Sequence, residues 1–194
     1  MFPARRLLAA VSLVLVAAAC STNDGRDMTA PGAGQSESIA IAPTTVAGAP
    51  EFTVTPAWTE GGVIDPRHTC DGQNLSPAVS WSGAPDGTSS FAVILTDLDA
   101  PEYAHWTVAN IDAASTGVTE GSVGDLAAVA MNSDAKPDYS GPCPEEGTTH
   151  RYSLSVYAVS QVIEAQTGDP APSLRAAIES AALAVATTEF TYSR

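Results

Sequence analysis

The sequence predicts a mainly β protein: an antiparallel β-sandwich with a few short helices and a C-terminal helix. Three observations carry that prediction. Apolar and polar residues alternate with period two over several short segments, clusters of Gly, Pro and Asp separate those segments, and only one stretch has helical character. "EFTVTPAW" (51–58) alternates Phe52 and Val54 before Pro56 and opens the domain as a strand. "PAVSWSG" (77–83) is a second strand, and "SSFAVILTDLD" (89–99) is a third with a buried apolar core. "HWTVANI" (105–111) places Trp106, Val108 and Asn110 on one face. "HRYSLSVYAVS" (150–160) sets Tyr152, Leu154, Val156 and Ala158 against Arg151, Ser153, Ser155 and Tyr157. The helix is "PSLRAAIESAALAVA" (172–186), with Ser173 as its N-cap and an alanine-rich interior. The last residues, "TTEFTYS", return to strand alternation. No internal repeat is present.

Hydrophobic residues make up 44% of the 194 and charged residues 15%, enough apolar content for one globular domain with a real core. Acidic residues number 22 and basic residues 8, for a net charge of −14. No basic patch forms, which argues against a nucleic-acid partner and against polybasic membrane attachment.

The first 20 residues, "MFPARRLLAAVSLVLVAAAC", read as an export signal. Arg5 and Arg6 precede an apolar stretch from Leu7 to Ala19 that is too short to span a bilayer. Small residues Ala17 to Ala19 stand directly before Cys20, as in a bacterial lipobox, although Ala17 occupies the place usually held by leucine. The expectation is a signal peptide over 1–19, lipidation of Cys20, and anchoring on the extracytoplasmic face of the cell membrane. Cleavage removes Arg5 and Arg6 and takes the net charge from −14 to −16. Residues 20–50 are rich in Ser, Thr, Gly, Ala and Pro and keep no period, so they read as a flexible tether. A chain of that length holds a domain on the order of 30 Å from its anchor. The folded domain is expected over 51–194.

Two cysteines remain, Cys70 in "HTCDG" and Cys143 in "GPCPEEG". An even pair in an exported chain suggests a disulfide, and closing a loop of roughly 70 residues is worth about 3–5 kcal/mol. Their spacing does not suit a CxxC redox or zinc site.

The densest chemistry lies in "ILTDLDAPEYAHWTVANI" (94–111). Asp97 ends one strand, His105 opens the next, and His150 opens a later one after the turn-rich "SGPCPEEGTT". Strand mouths are where loops build sites on a scaffold. Two histidines and an aspartate suit a metal, an Asp–His pair suits acid–base work, and histidines with loop N–H groups suit a small anion such as phosphate. These residues alone leave the three open.

"HTCDGQNLSPAVSWSGAPDGTSSFAVILTDLDAP", "AHWTVANID" and "YSGPCPEEGTTHRYSLSVYAV" closely resemble the phosphatidylethanolamine-binding protein family, also called Raf kinase inhibitor-like, and its bacterial branch in particular. The likeness runs over roughly residues 52 to 194, with the three motifs in the family's order. It implies an antiparallel β-sandwich with a shallow anion pocket at one end. The family's Asp-Pro-Asp-Ala-Pro motif falls on Asp97-Leu98-Asp99-Ala100-Pro101, its motif histidine on His105, its Gly-x-Pro segment on Gly141-Pro142-Cys143, and its His-Arg-Tyr on His150-Arg151-Tyr152. The resemblance therefore implies a ligand set of Asp97, Pro101, His105, Gly141, Pro142, His150 and Tyr152. In this reading His105 and His150 donate N–H bonds to phosphate oxygens, backbone N–H groups around Gly141 add donors, and Tyr152 offers a hydroxyl. Asp97 orients a histidine and raises its pKa, while Asp99 braces the loop. Leu98 departs from the family's proline and loses a φ lock, and Glu145 adds a carboxylate near the rim.

The function expected is non-catalytic binding of a small anionic or phosphorylated ligand, or of a partner's phosphorylated or acidic segment, without a resident metal or cofactor. No Gly-x-Ser-x-Gly elbow or HExxH motif marks a nucleophile or zinc site. The alternatives are a protein inhibitor acting through surface loops and a weak metal-dependent hydrolase using the His/His/Asp pocket.

Overall fold

The computed structural model describes residues 51–194. The expected signal peptide, the expected lipidation site Cys20 and the expected tether lie outside the described residues. Among the described residues, eight strands form two antiparallel sheets. The smaller is built from β1 (Thr53–Pro56), β2 (Val79–Ser82) and β5 (Gly117–Val118) in the order β1-β2-β5. The larger contains β3 (Ser90–Asp97), β4 (Ala104–Asp112), β6 (Ala128–Val129), β7 (Thr149–Val159) and β8 (Ala182–Ser193), in the order β6-β4-β3-β7-β8. The helix α1 (Ala171–Ala181) precedes β8, and a 3-10 turn sits at Pro66–His68.

The apolar pattern of β3 explains the layering. Successive strand residues point to opposite faces. Phe91, Val93 and Leu95 enter the core between the sheets, together with Val79, Trp81, Trp106, Val108, Leu154, Val156 and Phe190. Ala92 and Ile94 enter a second core with Ala109, Leu174 and Ile178, where α1 covers the outer face of the large sheet. Small Ala92 and Ala109 leave room for Leu174 and Ile178, which lie one helical turn apart and are each worth about 1.5–3 kcal/mol of burial. A strand covered on both faces needs no polar residues, hence the unbroken run in β3. In β7, Tyr152, Leu154, Val156 and Ala158 are buried and Arg151, Ser153, Ser155 and Tyr157 are less so, as the alternation predicts.

Three expectations change. The helix ends at Ala181, and residues 182–186, assigned to it on their alanine content, begin β8. Ala184, Val185 and Ala186 pair with Ala158, Tyr157 and Val156 of β7, so cross-strand pairing overrides local helix propensity. The helix is thus the penultimate element, followed by a C-terminal strand. Its N-cap is Pro170, not Ser173; Pro172 sits in the first turn, where its missing N–H costs nothing. Asn110 does not share a face with Trp106 and Val108. It adopts φ 61° where the β3–β4 register slips between Phe91/Ile111 and Val93/Val108, and its amide exchanges hydrogen bonds of 2.9 and 2.8 Å with the backbone of Ile163.

Candidate functional site

β3, β4 and β7 are adjacent, so the C-terminal end of β3 meets the starts of β4 and β7. That adjacency brings Asp97, His105 and His150 to one rim. They line a cavity of about 310 Å³ together with Ala100, Tyr103, Cys143, Pro144 and Glu145. Open grooves of about 640 and 430 Å³ run along the small sheet, lined mainly by Thr, Ser, Gly and Ala, but the smaller cavity is the one that holds the histidines.

Asp97 is 3% exposed and uses both carboxylate oxygens. Oδ1 accepts the N–H groups of Asp99 at 2.8 Å and Ala100 at 3.0 Å, which fixes the turn after β3. Oδ2 accepts from His150 Nδ1 at 2.7 Å and stands 3.9 Å from His105 Nε2. The aspartate therefore orients a histidine, as expected, and that histidine is His150. Asp99 is the brace: its Oδ2 accepts the Arg151 N–H at 2.8 Å. Leu98 gains what a proline in its place would lose. Its N–H donates to Arg151 O at 2.8 Å and extends the β3–β7 ladder past Asp97.

His105, also 3% exposed, places Nδ1 2.7 Å from the Ser140 carbonyl oxygen. A carbonyl only accepts, so Nδ1 carries the hydrogen and the neutral ring has its lone pair on Nε2. The same logic applies to His150, whose Nδ1 faces a carboxylate. Burial pushes the His105 imidazole below its ordinary range, against the upward pull of the Ser140 carbonyl and the Asp97 charge. The structure thus commits the Nδ1–H of His105 to Ser140, so any contact this ring makes with a ligand falls to Nε2.

Ser140 is a hub that sequence reasoning missed. Its N–H donates to His105 O at 3.0 Å, its carbonyl takes His105 Nδ1–H, and its hydroxyl donates to Asp134 Oδ2 at 2.6 Å and lies 3.2 Å from the Tyr103 hydroxyl. These hydroxyl contacts hold the Asp134 carboxyl below its usual range. Tyr103 packs its ring 4.5 Å from His105 and walls the cavity. The signal for Tyr103 was an aromatic two residues before a site histidine; nothing local marked Ser140 or Asp134.

The other expected ligand residues stand elsewhere. Pro101 is exposed and lines a neighbouring hollow of about 190 Å³ with Ala171, Pro172 and Arg175. Gly141 and Pro142 are buried behind the wall. The Gly141 N–H donates to Asn74 Oδ1 at 2.8 Å, so it is not a free donor. Its glycine is required by a close backbone approach: a Cβ there would lie 2.3 Å from His68 O. Tyr152 lies beneath the cavity, fully buried, stacked on Phe190 at 5.2 Å and edge-on to His105 at 5.5 Å. Its hydroxyl has no hydrogen-bond partner, and burial together with the Asp97 charge pushes it well above the usual phenol range. Cys143 lines the cavity and forms a disulfide with Cys70, joining the wall to the loop that follows the 3-10 turn. Arg194 sits over this join, with Nε 3.0 Å from Asp71 Oδ1 and Nη1 3.7 Å from Cys143 Sγ. Among the described residues no group of three His, Cys, Asp or Glu side chains has the spacing of a metal cage.

Comparison with known proteins agrees with this architecture. The Escherichia coli protein YbcL, described as a member of the mammalian PEBP family, superposes with a TM-score of 0.70 at 28% identity, covering 74% of this chain and 99% of that one. A UPF0098 protein of Methanothermobacter thermautotrophicus is 39% identical over 121 residues, which span 59% of this chain and 80% of that relative. Of the Mycobacterium bovis UPF0098 protein Mb1945c, matched at 36% identity, the alignment spans only 53%. LppC of Mycobacterium tuberculosis, which carries a lipoprotein name, is 28% identical over 164 residues, 82% of this chain and 81% of LppC. Residues 54–193 match the family described as phosphatidylethanolamine-binding protein. With the sandwich, the strand-mouth cavity and that match in agreement, the chain belongs to the phosphatidylethanolamine-binding protein family, on its bacterial side.

Proposed function

We propose that this protein is a non-catalytic binding module, held at the extracytoplasmic face of the cell membrane by a lipidated Cys20, that takes a small phosphorylated ligand into the cavity of Asp97, His105 and His150. The observation that carries the reading is the cavity's construction. Two imidazoles have their Nδ1 atoms fixed by Ser140 O and Asp97 Oδ2, so both rings are rigidly aimed and each has Nε2 free. Rigid polar groups in a small preformed cavity describe a ligand site. A volume of about 310 Å³ accommodates a phosphate and a short substituent. No serine, threonine or cysteine in the cavity is paired with a base, since Cys143 is held in the disulfide, which is why binding is favoured over turnover. The lipid anchor is supported by the signal-like first 20 residues and by the lipoprotein name of LppC.

Thermal unfolding with added phosphoethanolamine tests the ligand. Ligand at 100 times Kd stabilises the folded state by about 2.7 kcal/mol, so the wild-type Tm rises. The His105→Ala, His150→Ala double variant shows no rise. An equal rise in both proteins would sink the pocket reading. Mass analysis of membrane-extracted protein for a lipid on Cys20 tests the anchor.

A further inference from the structure

The hollow of about 190 Å³ beside the histidine cavity lies where α1 meets the outer face of the large sheet. Thr107 forms part of it, on β4 opposite Ile94, which packs against α1; cross-strand partners share a face. Glu102 and Arg175 stand in its walls, with Pro101 and Ala171 as apolar surface. Tyr103 is common to this hollow and to the histidine cavity, but its hydroxyl is engaged by Ser140 Oγ at 3.2 Å. Two of the polar groups are unspent. Thr107 is 3% exposed, yet its hydroxyl makes no hydrogen bond among the described residues. A buried hydroxyl without a protein partner is uncommon and marks a place for water or a ligand. Arg175 is half-buried, and its Nη2 donates to the neutral Thr96 Oγ1 at 2.8 Å. That bond pins the side chain to β3 and uses one of its five N–H donors. The other three arginines among the described residues each stand against a carboxylate: Arg67 2.9 Å from Glu120, Arg151 3.8 Å from Asp99 and Arg194 3.0 Å from Asp71. Arg175 has no such partner among the described residues, in a chain where 22 acidic residues face 8 basic ones.

A guanidinium held in place with N–H groups to spare recognises a carboxylate, whose two oxygens match its fork. The Thr107 hydroxyl adds a second donor to the same space. Glu102 brings the opposite charge to the wall, where it repels a second negative charge and accepts from an ammonium. Pro101 and Ala171 leave apolar surface for a short aliphatic group, and the small volume excludes a long one. A cation, a carboxylate and a free hydroxyl on one small hollow are complementary to a small zwitterion. We infer that this hollow is a second binding site, separate from the histidine cavity, for a small α-amino acid whose carboxylate meets Arg175 and Thr107 and whose ammonium meets Glu102.

The test is titration of the isotopically labelled full chain with L-alanine, L-lactate and ethylamine at pH 7, followed in amide and arginine side-chain NMR spectra. Lactate keeps the shape and the carboxylate of alanine but has a hydroxyl for the ammonium; ethylamine lacks the carboxylate. L-Alanine shifts the Ala104, Thr107 and Ala171 amides and the Arg175 Nε–H, and it binds at least tenfold more tightly than either analogue. Thr107→Val, which leaves the Arg175–Thr96 bond in place, weakens alanine binding about tenfold while its Tm holds or rises. Loss of a hydroxyl with a merely structural role would instead lower the Tm. Glu102→Gln brings the affinities for alanine and lactate to within about twofold of each other, and Arg175→Gln abolishes binding of both. Where Arg175→Gln does not fold, Thr107→Val and Glu102→Gln decide. No saturable shift with L-alanine overturns the inference, as do equal affinities for alanine and lactate in wild type. Shifts centred on Asp97 and His150 would place the amino acid in the histidine cavity and overturn it too, as would unchanged alanine binding in Thr107→Val.

Discussion

Removal of the Asp97 carboxylate is the sharpest perturbation available. In Asp97→Ala three donors lose their acceptor at once: the N–H groups of Asp99 and Ala100, at 2.8 and 3.0 Å, and His150 Nδ1–H at 2.7 Å. Asp99 is exposed and Ala100 half-buried, so water replaces part of what those two lose. His150 is about three-quarters buried, with 23% side-chain exposure, and loses more. Hydrogen bonds to a charged group contribute about 1.5–3 kcal/mol and neutral ones about 1 kcal/mol. Discounting for solvent leaves a loss of about 3 kcal/mol for the alanine variant. A domain of this size unfolds with an entropy of about 0.3 kcal/mol/K, so Tm falls by about 10 °C. Asp97→Asn keeps an oxygen for the two backbone donors and loses mainly the charge, so its Tm falls by about 3 °C. Circular dichroism melts and urea titrations at pH 7.5 measure both, and imidazole 15N shifts report the His150 tautomer. An alanine variant within about 1 °C of wild type would refute the claim that Asp97 organises the rim. So would a His150 that carries its hydrogen on Nε2 in the wild-type protein.

Three further outcomes follow from the same contacts. The Cys70–Cys143 bond spans 73 residues and constrains the unfolded chain by about 4 kcal/mol, so Cys70→Ser with Cys143→Ser lowers the urea midpoint; an unchanged midpoint, or two titratable thiols on unreduced protein, contradicts it. Burial depresses the His105 pKa in the folded state, so its contribution to stability is present in full above about pH 6.5 and is lost as pH falls below that value, because the unfolded chain takes up the proton first. Urea midpoints at pH 7.5 and 5 in wild type and His105→Gln check the sign: the acid loss is smaller in the variant. Gly141→Ala drives a Cβ to within 2.3 Å of His68 O and 2.8 Å of Asn74 Oδ1, forces the wall outward, and costs about 2–3 kcal/mol together with ligand binding; a variant with wild-type Tm contradicts the close approach.

Much of this protein was legible from its sequence, for a local reason. Strand alternation is a period-two signal carried by neighbouring residues, so β7 and the buried run of β3 read directly from "HRYSLSVYAVS" and "FAVIL". Asp97, His105 and His150 were found because each stands at a strand mouth, and each lies in its own short contiguous motif. Other features depend on partners far away in sequence. Residues 182–186 have the composition of a helix, and β7 makes them a strand. Asn110 alternates correctly on paper, and the backbone of Ile163, 53 residues on, turns it out of the ladder. Backbone N–H groups around Gly141 were expected to face a ligand, and the Gly141 N–H donates to Asn74 instead. The chemistry of the site is the clearest case. Sequence alone placed two histidines and an aspartate at strand mouths, and the β4-β3-β7 order brought them to one rim. The tertiary structure decided which nitrogen of each ring carries the hydrogen, because that choice belongs to the Ser140 carbonyl, 35 residues from His105, and to the Asp97 carboxylate, 53 residues from His150. A tautomer is set by the partner across a hydrogen bond, and such partners are brought together only by the fold.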